Sequence, residues 1–210
     1  MHELPGETLG DKDIARYESD NASLFADIEN RVKEQLQSQE PLDRRDAIDV
    51  IPLLSEEKRG KYVAKVLADQ SMRVAELALK QIPFVSTAEQ KTLFDALSQK
   101  LAQAIEFTHV TNFEEIKIIE LIGKIPEPTQ SELYAKAYAK LDEAITQGSD
   151  DIAPTALYNA RLLPTPLITK LIDKGFGHHS LLVQMEASSL IPLAEEGKRA
   201  EFVRKALGQS

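Results

Sequence analysis

The sequence predicts an all-α protein built from five helical hairpins behind an N-terminal capping helix, and three observations carry that prediction. First, the chain repeats itself: residues 47–67, AIDVIPLLSEEKRGKYVAKVL, return at 187–207 as ASSLIPLAEEGKRAEFVRKAL, identical at ten of 21 positions without a gap. Self-similarity at separated positions marks an array of stacked units. Second, an Ile-Pro or Leu-Pro step occurs five times, at Ile51, Ile82, Ile125, Leu163 and Ile191, each after an apolar pattern with helical spacing. Third, aromatic residues make up only 6% of the 210 residues and Trp is absent, so the core has to be packed through Leu, Ile, Val and Ala.

The elements follow in order. Residues 1–21 read as a loosely ordered acidic segment with one short helix around 11–18. An amphipathic helix over about 22–38 places Leu24, Ile28, Val32 and Leu36 on one face, and its acidic outer face suits an end cap. Five repeats then span about 42–68, 70–108, 111–148, 150–175 and 178–207, within one domain covering 22–207. In each, proline ends the first helix because it cannot continue the hydrogen-bond ladder and biases its predecessor away from helical geometry. Helix starts come soon after. Ser55 precedes two acids, Thr87–Gln90 and Thr129–Glu132 read as capping boxes, and Thr165 precedes Pro166 at a first helical position. The second repeat is stretched by a long second helix running to about Phe107, while Gly148 and Gly175 sit where helices would stop.

The segment from Asp69 through Arg73, Ala75 and Ala78 to Ile82-Pro83 resembles the first helix of a HEAT or HEAT-like repeat, with an acid, a base, small alanine positions and an apolar close before the turn. The resemblance extends over about residues 42–207. It implies a short right-handed α-solenoid whose concave face, lined by the second helices, binds macromolecules. HEAT-repeat metalloenzymes hold iron with paired His-Glu steps, and the one such step here is His2-Glu3. HEAT-like DNA glycosylases use a strongly basic groove with exposed aromatics, which this acidic, Trp-free chain lacks.

Charge narrows the function classes. The net charge is −9, and residues 1–40 hold ten acids against four bases. Nucleic acid is disfavoured as a partner, because affinity for phosphate backbones comes from counterion release by clustered bases. No apolar run is long enough to cross a bilayer, which disfavours a membrane role. The absence of Cys excludes disulfides and thiolate metal sites, and with no secretory signal in the opening residues a cytoplasmic location is expected.

No catalytic motif stands out, so the chain reads as non-enzymatic with no cofactor. His178 and His179 are neighbours in a loop, where side chains are expected to point apart rather than share a metal, and no metal site is assigned. The acid pairs Glu56-Glu57, Glu114-Glu115, Asp150-Asp151 and Glu195-Glu196 fall in or before first helical turns, where the helix dipole favours them. Tyr134 and Tyr138 read as packing residues. The duplication also repeats surface charge: Lys58, Arg59 and Lys65 return as Lys198, Arg199 and Lys205, with i, i+3 partners offered by Glu56 and Glu196.

The five second helices together hold 14 Lys and Arg against 12 acids, while the first helices are net acidic. A mildly basic groove is therefore expected on the second-helix face. Its candidate residues are Lys58, Arg59, Lys61, Lys65, Lys91, Lys136, Lys140, Lys170, Lys174, Lys198 and Arg199. The expected function is a protein-protein interaction module, an adaptor or regulatory scaffold for an acidic peptide or protein segment. The last repeat leaves an apolar flank for self-association. The alternative is a HEAT-like enzyme or small-ligand-binding protein, such as a chromophore lyase or chaperone.

Overall fold

Helices formed where the apolar spacing predicted them. A computed structural model describes residues 21–69, 71–113 and 117–208. Among the described residues there are eleven α-helices, four short 3-10 turns and no strand. The helices are α1 Ala22–Leu36, α2 Pro41–Val50, α3 Glu56–Leu67, α4 Met72–Leu79, α5 Thr87–Phe107, α6 Ile118–Ile122, α7 Thr129–Gln147, α8 Ile152–Ala160, α9 Thr165–Phe176, α10 Leu181–Ser189 and α11 Glu196–Ala206. The expected short helix at 11–18, His2-Glu3, Glu114-Glu115 and the side chain of Glu56 lie outside the described residues.

The chain divides into two compact units, 1–96 and 97–210, with the boundary inside α5. In the first unit α1 packs on α2, α2 on α4 and α3 on α4. In the second unit the helices form two layers. α8 lies against α10, while α7, α9 and α11 adjoin one another in sequence order, and each helix of one layer is packed on its neighbours in the other.

The prolines act as punctuation, with each α-helix stopping two to four residues before its proline. The last α-helical residues are Val50, Leu79, Ile122, Ala160 and Ser189, each just short of its proline. At three sites the Ile-Pro pair lies in a 3-10 turn: Ile51–Leu53, Ile82–Phe84 and Ile191–Leu193. Each turn closes by an i→i+3 bond onto the isoleucine carbonyl, accepted from Leu54, Val85 and Ala194 at 3.0–3.1 Å. Proline sits second in the turn, where its missing N–H costs nothing. The apolar residue before it is an anchor, since Ile51, Ile82, Ile125 and Leu163 are all buried.

Three cap assignments shift. The start of α5 is held by Ser86, not Thr87: the Ser86 carbonyl accepts from Glu89 and Gln90, and its hydroxyl donates to Glu89 at 2.7 Å. At α7 the capping carboxylate is Glu127, which accepts from the Ser131 amide at 3.3 Å and its hydroxyl at 2.8 Å. Gly175 does not stop a helix. It is buried inside α9, which runs on to Phe176, and a Cβ there would come 2.8 Å from Ala187 Cβ. It is glycine because α9 and α10 approach too closely for a side chain. Gly148 does end α7, and a Cβ there would fall 2.1 Å from the Ala144 carbonyl oxygen.

The duplicated segment serves as an internal control on packing. Tyr62 and Phe202 are both buried, as are Ala47 and Ala187. The other side differs. Val63 is 0% exposed and Leu67 2%, whereas their counterparts Val203 and Leu207 are 45% and 66% exposed. In the first copy α4 covers that side. In the second copy the sequence has adapted in part: buried Ile48 is replaced by Ser188, and buried Val66 by Ala206.

Candidate functional site

The repeated basic residues have internal partners in both copies. Arg59 donates from Nε to the Leu54 carbonyl at 2.7 Å, and Arg199 donates from Nε to the Ala194 carbonyl at 2.9 Å. Both guanidinium groups thus close the turn that opens the second helix, and Arg59 also reaches the Phe84 carbonyl at 3.3 Å. Lys65 places its ammonium 5.4 Å from the Tyr62 ring centroid, and Lys205 lies 5.6 Å from that of Phe202. Lys198 pairs with Glu201 at 2.9 Å. Lys61 is exposed and stands 5.9 Å from the Tyr62 ring.

Lys58 pairs instead with Glu29 of α1 at 2.8 Å, and Lys33 reaches the same carboxylate at 3.0 Å. The buried Tyr62 donates its hydroxyl to Glu29 at 2.8 Å. These three donors hold the Glu29 carboxyl down to about 2 from 4.5, the Lys58 bond contributing most. Burial, then the Glu29 bond, pushes the Tyr62 hydroxyl up to about 12 from 10. The network fastens α1 to α3. Its pH signature follows from the signs of the shifts. A depressed carboxyl stabilises above pH 4.5 and loses that contribution as pH falls toward 2. A raised phenol stabilises below pH 10 and loses it as pH rises toward 12. Both lysines are nearly half exposed, so water screens the pair, and the carboxylate contribution is expected to be on the order of 1 kcal/mol. Glu29→Gln should flatten the stability curve between pH 4.5 and 2, read by urea unfolding, and shrink the alkaline limb to the part that burial of Tyr62 supplies.

The remaining candidates lie on α5, α7 and α9. Lys91, Lys136 and Lys170 are exposed. Lys140 donates to the Glu106 carbonyl near the end of α5, and Lys174 pairs with Asp142 of α7, which raises its ammonium pKa. One face of α7, with Leu133, Ala137, Leu141 and Ile145, is buried. A flanking stripe, Lys136, Lys140, Glu143 and Gln147, borders three cavities in the second unit. One of about 470 Å³ lies between α5 and α7, with Ala102, Ile105, Glu106, Lys136 and Lys140 in its wall. The next, about 360 Å³, shares Lys140 and Glu143 and adds His109 and Ile152. The third, about 500 Å³, shares Gln147 and Gly148 and adds Lys174, His178 and His179. The three adjoin along α7 through these shared residues and are together called the α7 trough.

Compared with known proteins, the chain matches no family model, no curated sequence and no solved structure. The trough is therefore read on its own chemistry. Three of the lysines predicted from sequence, Lys136, Lys140 and Lys174, line it, against Glu106 and Glu143. Apolar Ala102, Ala139, Ala144 and Ile152 supply contact area between them. Sequence reasoning missed Gln147, which continues the α7 stripe four residues after Glu143, and His109, which reaches the cavity from the turn after α5 and carries no local signal for it. Tyr134 and Tyr138 are half-buried, their hydroxyls raised mainly by burial. Among the described residues, no helix is long and apolar enough to cross a membrane.

Proposed function

We propose that the chain is a HEAT-like α-solenoid interaction module, five hairpins behind the capping helix α1, that presents the α7 trough to an acidic peptide or protein segment. The observation that carries this reading is the run of three adjoining cavities along one stripe of α7, with Lys136, Lys140 and Lys174 in its walls. The layering of α8 with α10 and of α7, α9 and α11 supports the array. The mixed wall suits an amphipathic acidic segment whose aliphatic side chains meet Ala102, Ala139 and Ile152 while its carboxylates meet the lysines. Charge of this kind sets on-rate and specificity more than raw affinity. The exposed Leu181, Leu182 and Met185 of α10, with Leu207, are the face assigned to self-association.

The test is binding of a fluorescent peptide alternating Glu and Leu to the full chain, at low and at physiological salt. Binding that weakens with salt, and that is lost in Lys136→Glu with Lys140→Gln while the thermal midpoint holds, is the expected result. Equal binding and equal salt dependence in that variant would remove the trough as the site.

A further inference from the structure

The two histidines expected to point apart instead stack, and a carboxylate from another turn meets them. The His178 and His179 rings lie 4.3 Å apart with a 27° interplanar angle. His179 Nε2 is 3.2 Å from Asp150 Oδ1. One ligand atom from each of Asp150, His178 and His179 lies within 4.8 Å of the other two. The residues come from different turns, Asp150 between α7 and α8 and the histidines between α9 and α10, and meet because α7 packs beside α9. The backbone there is fixed: Gln184 donates to the His178 carbonyl at 2.7 Å, and the Ser180 amide donates to His178 Nδ1 at 3.1 Å.

We propose that Asp150, His178 and His179 form a site for one divalent cation of the Zn²⁺ class at the end of the α7 trough. Two neutral imidazoles and one carboxylate suit Zn²⁺, Co²⁺ or Ni²⁺, while Mg²⁺ and Ca²⁺ prefer all-oxygen sets. Binding replaces the His179–Asp150 hydrogen bond with two metal bonds, and the Nε2 proton of His179 moves to Nδ1, so the imidazole stays neutral. His178 exchanges its Ser180 contact for the metal or turns its ring to offer the other nitrogen. Three protein ligands leave a position for water. A bound cation would tie the turn after α7 to the turn after α9. The site is distinct from the lysines of the acidic-segment reading and stands without it.

The experiment is equilibrium dialysis and calorimetry of the full, untagged chain with ZnCl₂ in excess Mg²⁺. One equivalent bound, with a rise in thermal midpoint, is the expected result. Asp150→Asn and His179→Ala should each weaken binding by about tenfold or more, because even an outer-shell partner is worth that much. His178→Ala with His179→Ala should abolish both the binding and the thermal shift. These side chains are at the surface, so circular dichroism of the variants should match the parent. Two results would overturn the site: no zinc bound by the parent chain, or undiminished binding in the double-alanine variant, which would place the metal on His2 or His109.

Discussion

Asn159→Asp is expected to destabilise the second unit by about 3 kcal/mol or more at neutral pH, the cost of an unpaired buried charge. Asn159 sits on α8 at 1% exposure and donates its amide to the Val110 carbonyl at 2.7 Å. That bond pins the 3-10 turn Val110–Asn112, which follows α5, onto α8. Its Oδ1 is buried without a partner, so the site tolerates an acceptor that is neutral but offers nothing to balance a charge. Aspartate keeps the shape, loses the donor and turns an ionised oxygen toward a carbonyl. Burial would push its carboxyl above the usual range, and the sign follows. An acid whose folded pKa is raised destabilises at high pH, and the penalty shrinks as pH falls and the protonated form donates to Val110 again. Urea unfolding at pH 7 and pH 4.5 should therefore show a smaller deficit at the lower pH. Asn159→Leu, which removes the donor without adding charge, should cost about 1–3 kcal/mol with no such pH dependence. An aspartate variant within about 1 kcal/mol of the parent at pH 7 would mean that water reaches this part of α8.

What the sequence made legible was whatever depends on near neighbours. Proline's effect on its own and the preceding residue is local, so the five helix ends could be placed within a few residues, and the apolar stripes of α7 and α9 were buried as spaced. Cap register was harder, because adjacent Ser86 and Thr87 offer the same chemistry and only the backbone bonds choose between them. Partners far apart in sequence were not readable at all. The bond from Tyr62 to Glu29 spans two helices, and neither residue carries a local signal for it. The same limit explains the candidate site. Lys136 and Lys140 were visible as a helical stripe, but the arginines at 59 and 199 looked like a binding pair until their bonds to Leu54 and Ala194 were seen. The duplication preserved turn closure as much as surface charge.

The acid that carried the repeat resemblance, Asp69, supplies the second large effect. Its carboxylate is 8% exposed and meets Arg44 of α2, with Nε to Oδ2 at 2.6 Å and Nη2 to Oδ1 at 3.4 Å. Arg44 also donates from Nη1 to the Ser38 and Gln39 carbonyls at 2.9 Å, and Asp69 accepts from the Ser71 amide at 2.7 Å. One fork therefore joins the end of α1, the helix α2 and the start of α4. Removing one partner strands the other in a half-dry setting, and Arg44→Ala or Asp69→Ala is expected to cost about 3 kcal/mol. Arg44→Lys should recover little, because a single ammonium cannot serve a carboxylate and two carbonyls at once. The exchange Arg44→Asp with Asp69→Arg separates pairing from position. If attraction between the charges were all that mattered, the swapped pair would regain most of the loss. The geometry predicts that it will not, because an aspartate at 44 would face two carbonyl oxygens and an arginine at 69 would oppose the Ser71 amide. Recovery of the parent's denaturation midpoint by the swapped chain would show that the backbone bonds contribute little and that the fork is a simple ion pair.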